Sequence, residues 1–278
     1  MLKTRIITAV TMVFPLILLL VFSPQPWPLL IGFALYTLAA WEWSQLMPGQ
    51  STAQRAGLTT AYVTLLAIVT FAVLEAGSGN EVWFGLLGLL VLGALGWWLI
   101  AAVLVVRYPF SPPTWLIAVS GIWVIVPAFA VVAQVDSGGW GQPARLLILT
   151  FLIVWAADIG AYFCGRALGR HKLAPRVSPG KTWEGLVGGA ILALVVVAGL
   201  AHYFEQPLLV WLPLTLVVVL ASVIGDLIVS LFKRHASVKD MGRVFPGHGG
   251  ILDRFDSFSA AAPVLYGLLA VTGLAPSV

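Results

Sequence analysis

Asp226, Ser230, Lys233 and Arg234 stand at i, i+4, i+7 and i+8, so one continuous helix would carry all four on a single face. Asp226 lies deepest in the apolar run that precedes them. An acid at membrane depth costs about 3 kcal/mol on insertion scales unless something pairs with it. Lys233 is two helical turns away, too far for easy contact, which favours a functional role for Asp226 over a local ion pair. Asp253 and Asp256 follow at i, i+3, sharing a face at the start of the last apolar run with Arg254 beside them. Two carboxylates joined by a third from another helix form the hard-oxygen environment that Mg²⁺ prefers, above all when substrate phosphates complete its shell.

The segment between these helices runs Lys239-Asp240-Met241-Gly242-Arg243-Val244-Phe245-Pro246-Gly247-His248-Gly249-Gly250. Its cations, and glycines whose N–H groups can approach an anion closely, suit a phosphate cradle. A basic loop that only sets topology would explain Arg243 equally well. His248, between two glycines, is poorly explained by packing and suits a phosphate donor or a general acid or base. Asp240, next to Lys239, fits a local loop hydrogen bond as well as catalysis.

A second constellation starts at Asp158, with Tyr162 and Arg166 at i+4 and i+8, and continues to Ser178-Pro179-Gly180-Lys181-Thr182-Trp183-Glu184-Gly185. Gly180-Lys181-Thr182 has the look of a P-loop tail, but Pro175 stands where that motif needs glycine and no strand is expected before it. Glu184 reads as an acid favoured at a helix start.

The elements that must position these residues are membrane helices. Of the 278 residues, 60% are hydrophobic and 9% charged, against roughly 25% charged in a soluble domain. Apolar runs near 6–22, 27–47, 56–76, 82–106, 114–134, 145–165, 185–204, 207–229 and 257–275 give about nine spans, and hence an all-α polytopic membrane protein. The runs do not alternate with period two, which argues against a barrel. Lys3 and Arg5 ahead of the first run resemble a signal peptide, but no small-residue cleavage site follows, so a retained helix is expected. Pro15 and Pro127 read as kinks, Cys164 as apolar filler, and Glu42, between Trp41 and Trp43 near a span end, as more than a surface acid.

With a cytoplasmic N-terminus and nine spans, Arg145 alone of the 15 Lys and Arg residues falls outside, the asymmetry the positive-inside rule asks for. Ten of those 15 lie in the two loops 166–184 and 230–256, which places the chemistry at the cytoplasmic surface and the C-terminus outside. The net charge of +4 then reflects topology, not binding of nucleic acid. The chain divides into N-terminal helices, 1–144, poor in polar groups, and a catalytic region, 145–278.

The string Ser230-x-Phe232-Lys233-Arg234-x₄-Lys239-Asp240-x-Gly242-x₂-Phe245-Pro246-x-His248-Gly249-Gly250-Ile251-x-Asp253-Arg254-Phe255-Asp256 resembles the signature of the phosphatidate cytidylyltransferase family at every fixed position. A second family string is matched by Asp158, Ala161, Tyr162, Ser178, Pro179, Lys181, Thr182, Glu184 and Gly185. The resemblance implies CTP and phosphatidic acid as substrates, CDP-diacylglycerol and pyrophosphate as products, and an enzyme of the cell (inner) membrane. It implies Mg²⁺ held by Asp226 and Asp253 with Asp256 as partner, a second metal ion being compatible. Lys233 and His248 join the three acids as catalytic candidates. Asp158, Tyr162, Ser178, Lys181, Thr182, Ser230, Arg234, Lys239, Gly249, Gly250 and Arg254 are the candidates for substrate binding. A homodimer is compatible with the sequence. Competing readings are a CTP-dependent kinase acting on a polyprenol, which the full His-Gly-Gly-x-x-Asp-Arg-x-Asp string disfavours, and an ion-coupled transporter, for which no repeat is evident.

Overall fold

The computed structural model describes residues 23, 26–77, 79–134, 142–242 and 249–272. Eight helices account for most of them: α1 (Trp27–Ser44), α2 (Thr52–Gly77), α3 (Glu81–Arg107), α4 (Thr114–Ala133), α5 (Gln142–Leu168), α6 (Trp183–Tyr203), α7 (Leu208–His235) and α8 (Leu252–Val271). They follow eight of the nine expected spans, while 6–22, with Pro15, lies outside the described residues. Six of them, α2 to α7, are long and apolar enough to cross a bilayer. The outward faces of α2, α3 and α6 carry exposed Leu74, Leu89, Leu99 and Val195, which water would reject and lipid accepts. This is a helical, membrane-embedded protein.

α4 is the central helix, with every residue from Val124 to Ala133 buried and Pro127 inside its run. The C-terminal end of α1 locks onto it: Trp43 Nε1 donates to the Ile117 carbonyl at 2.8 Å, and the Trp43 ring meets Phe232 of α7 edge-on, with 5.5 Å between centroids. Tyr62 of α2 adds a bond to the Ala118 carbonyl at 2.7 Å. A second apolar cluster joins α5, α6, α7 and α8 through Ile153, Val197, Val218 and Leu265. α5 and α6 approach until backbone meets backbone: a Cβ on Gly160 would lie 2.5 Å from the Gly188 carbonyl oxygen. Small residues allow that approach in a setting where association depends on van der Waals contact.

The all-α architecture stands, but the connection between α5 and α6, expected to be loop, holds a short antiparallel hairpin, β1 (Lys172–Ala174) and β2 (Ser178–Thr182), so that Gly180-Lys181-Thr182 lies on a strand. The short polar strands carry no alternating apolar pattern that would betray them, and local bonds hold them. Val177 N donates to the Ala174 carbonyl at 3.2 Å, and Trp183 N donates to the His171 carbonyl at 2.9 Å.

Candidate active site

The hairpin is anchored at the mouth of the bundle. Thr182 has extended backbone and caps α6, its hydroxyl accepting the Gly185 N–H at 3.1 Å. Glu184, in the first turn of α6, accepts the His171 N–H at 3.1 Å and lies 2.6 Å from His171 Nδ1. Arg234, at the end of α7, donates through Nε to the Val177 carbonyl at 3.3 Å. These ties aim β2 so that Lys181 reaches back over α7. Its Nζ stands 2.5 Å from Asp226 Oδ2, while Ser230 donates to Asp226 Oδ1 at 3.2 Å.

A second pair lies one step toward the helix end. Lys233 Nζ donates to Asp253 Oδ1 at 2.8 Å. The other oxygen, Oδ2, accepts the Met241 N–H at 2.8 Å and the Gly250 N–H at 2.9 Å, so Asp253 closes the neck of the loop between α7 and α8. Gly249 adopts φ +83° there, and a Cβ would meet Asp253 Oδ2 at 2.5 Å, so glycine is required on both counts.

The remaining acids surround these pairs. Asp256 accepts the Ser257 N–H at 2.8 Å and feels the charges of Asp226, Lys233 and Lys181. Asp158 of α5 lies within electrostatic range of Lys181 and Asp226 and opens onto a cavity of about 240 Å³. The cavity is lined by α5, β1, β2, α6 and α7, with Asp158, Tyr162, Lys181 and Thr182 among its polar residues and Leu173, Val219 and Val223 among its apolar ones. Tyr162 accepts a bond from Arg166 at 2.9 Å. Ser178 lies on β2, and Lys239, Asp240 and Arg254 are exposed. His248 and Arg243 lie outside the described residues.

The two sequence constellations thus meet, through a contact that spacing did not foretell. Lys181 was expected on a substrate phosphate and is found on Asp226. Lys233 is bonded to Asp253 and within electrostatic range of Asp226, so one ammonium group serves both carboxylates. Among the described residues no three His, Cys, Asp or Glu side chains form a ready-made metal cage. Yet four carboxylates, Asp158, Asp226, Asp253 and Asp256, share two ammonium groups. One or two such carboxylate oxygens, completed by substrate phosphate oxygens and water, are the kind of donors that Mg²⁺ takes.

Glu42 is the residue whose place the sequence left open. It is only 2% exposed and accepts the Ile251 N–H at 3.0 Å and the Leu252 N–H at 2.9 Å. Its signal was present: a carboxylate in an apolar span must find donors.

The chain matches the profile of the cytidylyltransferase family over residues 3–272. It is 37% identical to a phosphatidate cytidylyltransferase of Haemophilus influenzae, an alignment covering 95% of this chain and 96% of that one. Identity to the Pseudomonas aeruginosa phosphatidate cytidylyltransferase is 39%, covering 98% of each chain. A shorter match, 49% over 125 residues, relates 44% of this chain to 48% of the Staphylococcus aureus phosphatidate cytidylyltransferase.

Proposed function

Because the chain belongs to the cytidylyltransferase family, we propose that it transfers the cytidylyl group of CTP to phosphatidic acid, giving CDP-diacylglycerol and pyrophosphate for phospholipid synthesis. The observation that carries this reading is the meeting of the Lys181–Asp226 and Lys233–Asp253 pairs at a cavity that Lys181 lines together with other polar and apolar residues. Such a cavity suits a substrate with a phosphate head and acyl tails. An oxygen of the phosphatidic acid phosphomonoester attacks the α-phosphorus of CTP in line. The new P–O bond forms as the bond to the β-phosphate oxygen breaks, and pyrophosphate leaves with the electron pair. No protein nucleophile is required.

The side chains position and neutralise. Lys181 and Lys233 can each turn from a carboxylate to a phosphate oxygen, since a flexible ammonium group has three donors. Arg234, Lys239 and Arg254 attract the triphosphate. Asp226, Asp253 and Asp256 would hold Mg²⁺, Asp253 through the oxygen that Lys233 releases when it turns to phosphate. Bound there, the metal would offset the charge that develops on the leaving pyrophosphate. Ser230 steadies Asp226, and His248 is a donor to phosphate or to the leaving group.

The same reading makes the protein a multi-pass enzyme of the cell's inner membrane, with the N-terminus and site cytoplasmic and the C-terminus outside. The one-sided distribution of Lys and Arg supports it. Purified protein assayed for pyrophosphate release with each nucleoside triphosphate tests the function. Release should require CTP or dCTP together with phosphatidic acid and Mg²⁺, and equal release with ATP would refute the assignment.

A further inference from the structure

Helix α8 carries Asp253 and Asp256, yet it begins without a cap of its own: Ile251 at its N-cap position has no side-chain acceptor to offer. The first N–H groups of a helix have no partner within it, and leaving them unpaired in a buried setting costs about 1–3 kcal/mol each. Glu42 fills the gap from a distant helix. Each oxygen takes one donor, Oε1 from Ile251 N and Oε2 from Leu252 N. The loop neck is built around the same carboxylate. A Cβ on Gly242 would lie 2.5 Å from Glu42 Oε1, and one on Gly250 would overlap the carboxylate outright. The residue next to it, Trp43, is fixed to α4 and packed on Phe232, whose neighbour Lys233 holds the other side of Asp253.

Resting on the proposed cytidylyl transfer, we infer that Glu42 is a positioning residue for that reaction. It caps α8 from α1 and sets where Asp253 and the Gly249-Gly250 backbone stand relative to Lys233 and Asp226. Its role is geometric, and it touches neither substrate nor reacting atoms. A carboxylate is the only common side chain that can give two adjacent N–H groups an oxygen each from this distance. Glutamine has the length but one acceptor, and aspartate has both oxygens on a chain one methylene too short.

The experiment measures steady-state kinetics per folded molecule, with folded protein counted by monodisperse elution in detergent. Glu42→Gln should lower kcat at least 10-fold while the KM for CTP and that for phosphatidic acid stay within about 3-fold, because the misplaced groups act mainly in the transition state. Glu42→Asp should lie between Gln and wild type. Gly250→Ala, which pushes the carboxylate off its donors, should produce the same kcat loss, and carries the test if the Glu42 variants do not fold. Gly250→Ala placed on Glu42→Ala should cost less than 3-fold further, since the clash it creates is with a carboxylate no longer there. A Glu42→Gln protein whose kcat per folded molecule is within 2-fold of wild type would overturn the inference, leaving Glu42 a purely structural cap. So would full additivity of the Glu42 and Gly250 substitutions. Loss of the CTP requirement in the wild-type protein would instead strike the proposed function, so the two failures are distinguishable.

Discussion

Lys181 Nζ, on the short strand β2, lies 2.5 Å from Asp226 Oδ2 in the membrane helix α7, and this contact joins the two halves of the site. Each partner is about a quarter exposed (26% and 28%), so the pair is neither fully wet nor fully buried, and Lys181 lines the cavity.

Lys181→Met should therefore destabilise the folded protein by only about 1–2 kcal/mol, between the worth of exposed and of buried pairs. Turnover should fall at least 100-fold, since the lost ammonium serves substrate phosphate as well as Asp226. Denaturant titration in detergent and initial rates measured on one preparation check both numbers. A large stability loss with modest rate loss would make the lysine structural.

Asp226→Asn and Asp253→Asn should both abolish turnover at any attainable Mg²⁺, but they should differ in stability. Asp253 accepts from Lys233 and two backbone N–H groups. Its amide presents a donor where an acceptor is needed, costing about 1–3 kcal/mol. Asp226→Asn should cost no more than the about 1–2 kcal/mol expected for losing the same ion pair from the lysine side. Near-normal rates with an unchanged Mg²⁺ requirement in either variant would remove the metal-site assignment.

Much of this was legible beforehand, for identifiable reasons. The helices α1 to α8 announce themselves through their apolar runs, six of them long enough to span a bilayer, and Asp226 and Ser230 share a face because helix period fixes it. The hairpin was not legible, since strands as short and polar as Lys172–Ala174 leave no periodic trace. Nor were the partners of Lys181 and Glu42, because both contacts link segments far apart in the chain, and spacing rules reach only a few turns. Nor did helical spacing show that Lys233, two turns from Asp226, would bond Asp253 of the next helix.

Thr182 offers a sharper separation of fold from binding. Its hydroxyl caps α6, so Thr182→Ala should cost about 1 kcal/mol of stability, while Thr182→Ser should restore it. Thermal unfolding of the two variants, read beside their KM for CTP, shows whether the hydroxyl does anything beyond capping. A Ser variant that recovers stability but not KM would assign the threonine methyl to the substrate.

Topology can be read with reporters. A fusion after Val278 should lie outside the cytoplasm and one inserted near Arg176 inside. Both on one side would refute the nine-span count.

The central claim, transfer of cytidylyl and not of phosphoryl, is tested most directly by where the phosphorus of CTP ends up. Purified protein is incubated with phosphatidic acid, Mg²⁺ and CTP labelled at either the α- or the γ-phosphate, and lipid is extracted from water. Cytidylyl transfer sends the α label into the lipid phase and leaves the γ label in water as pyrophosphate. A γ label in the lipid phase with the α label left in water would contradict cytidylyl transfer and make the chain a CTP-dependent lipid kinase.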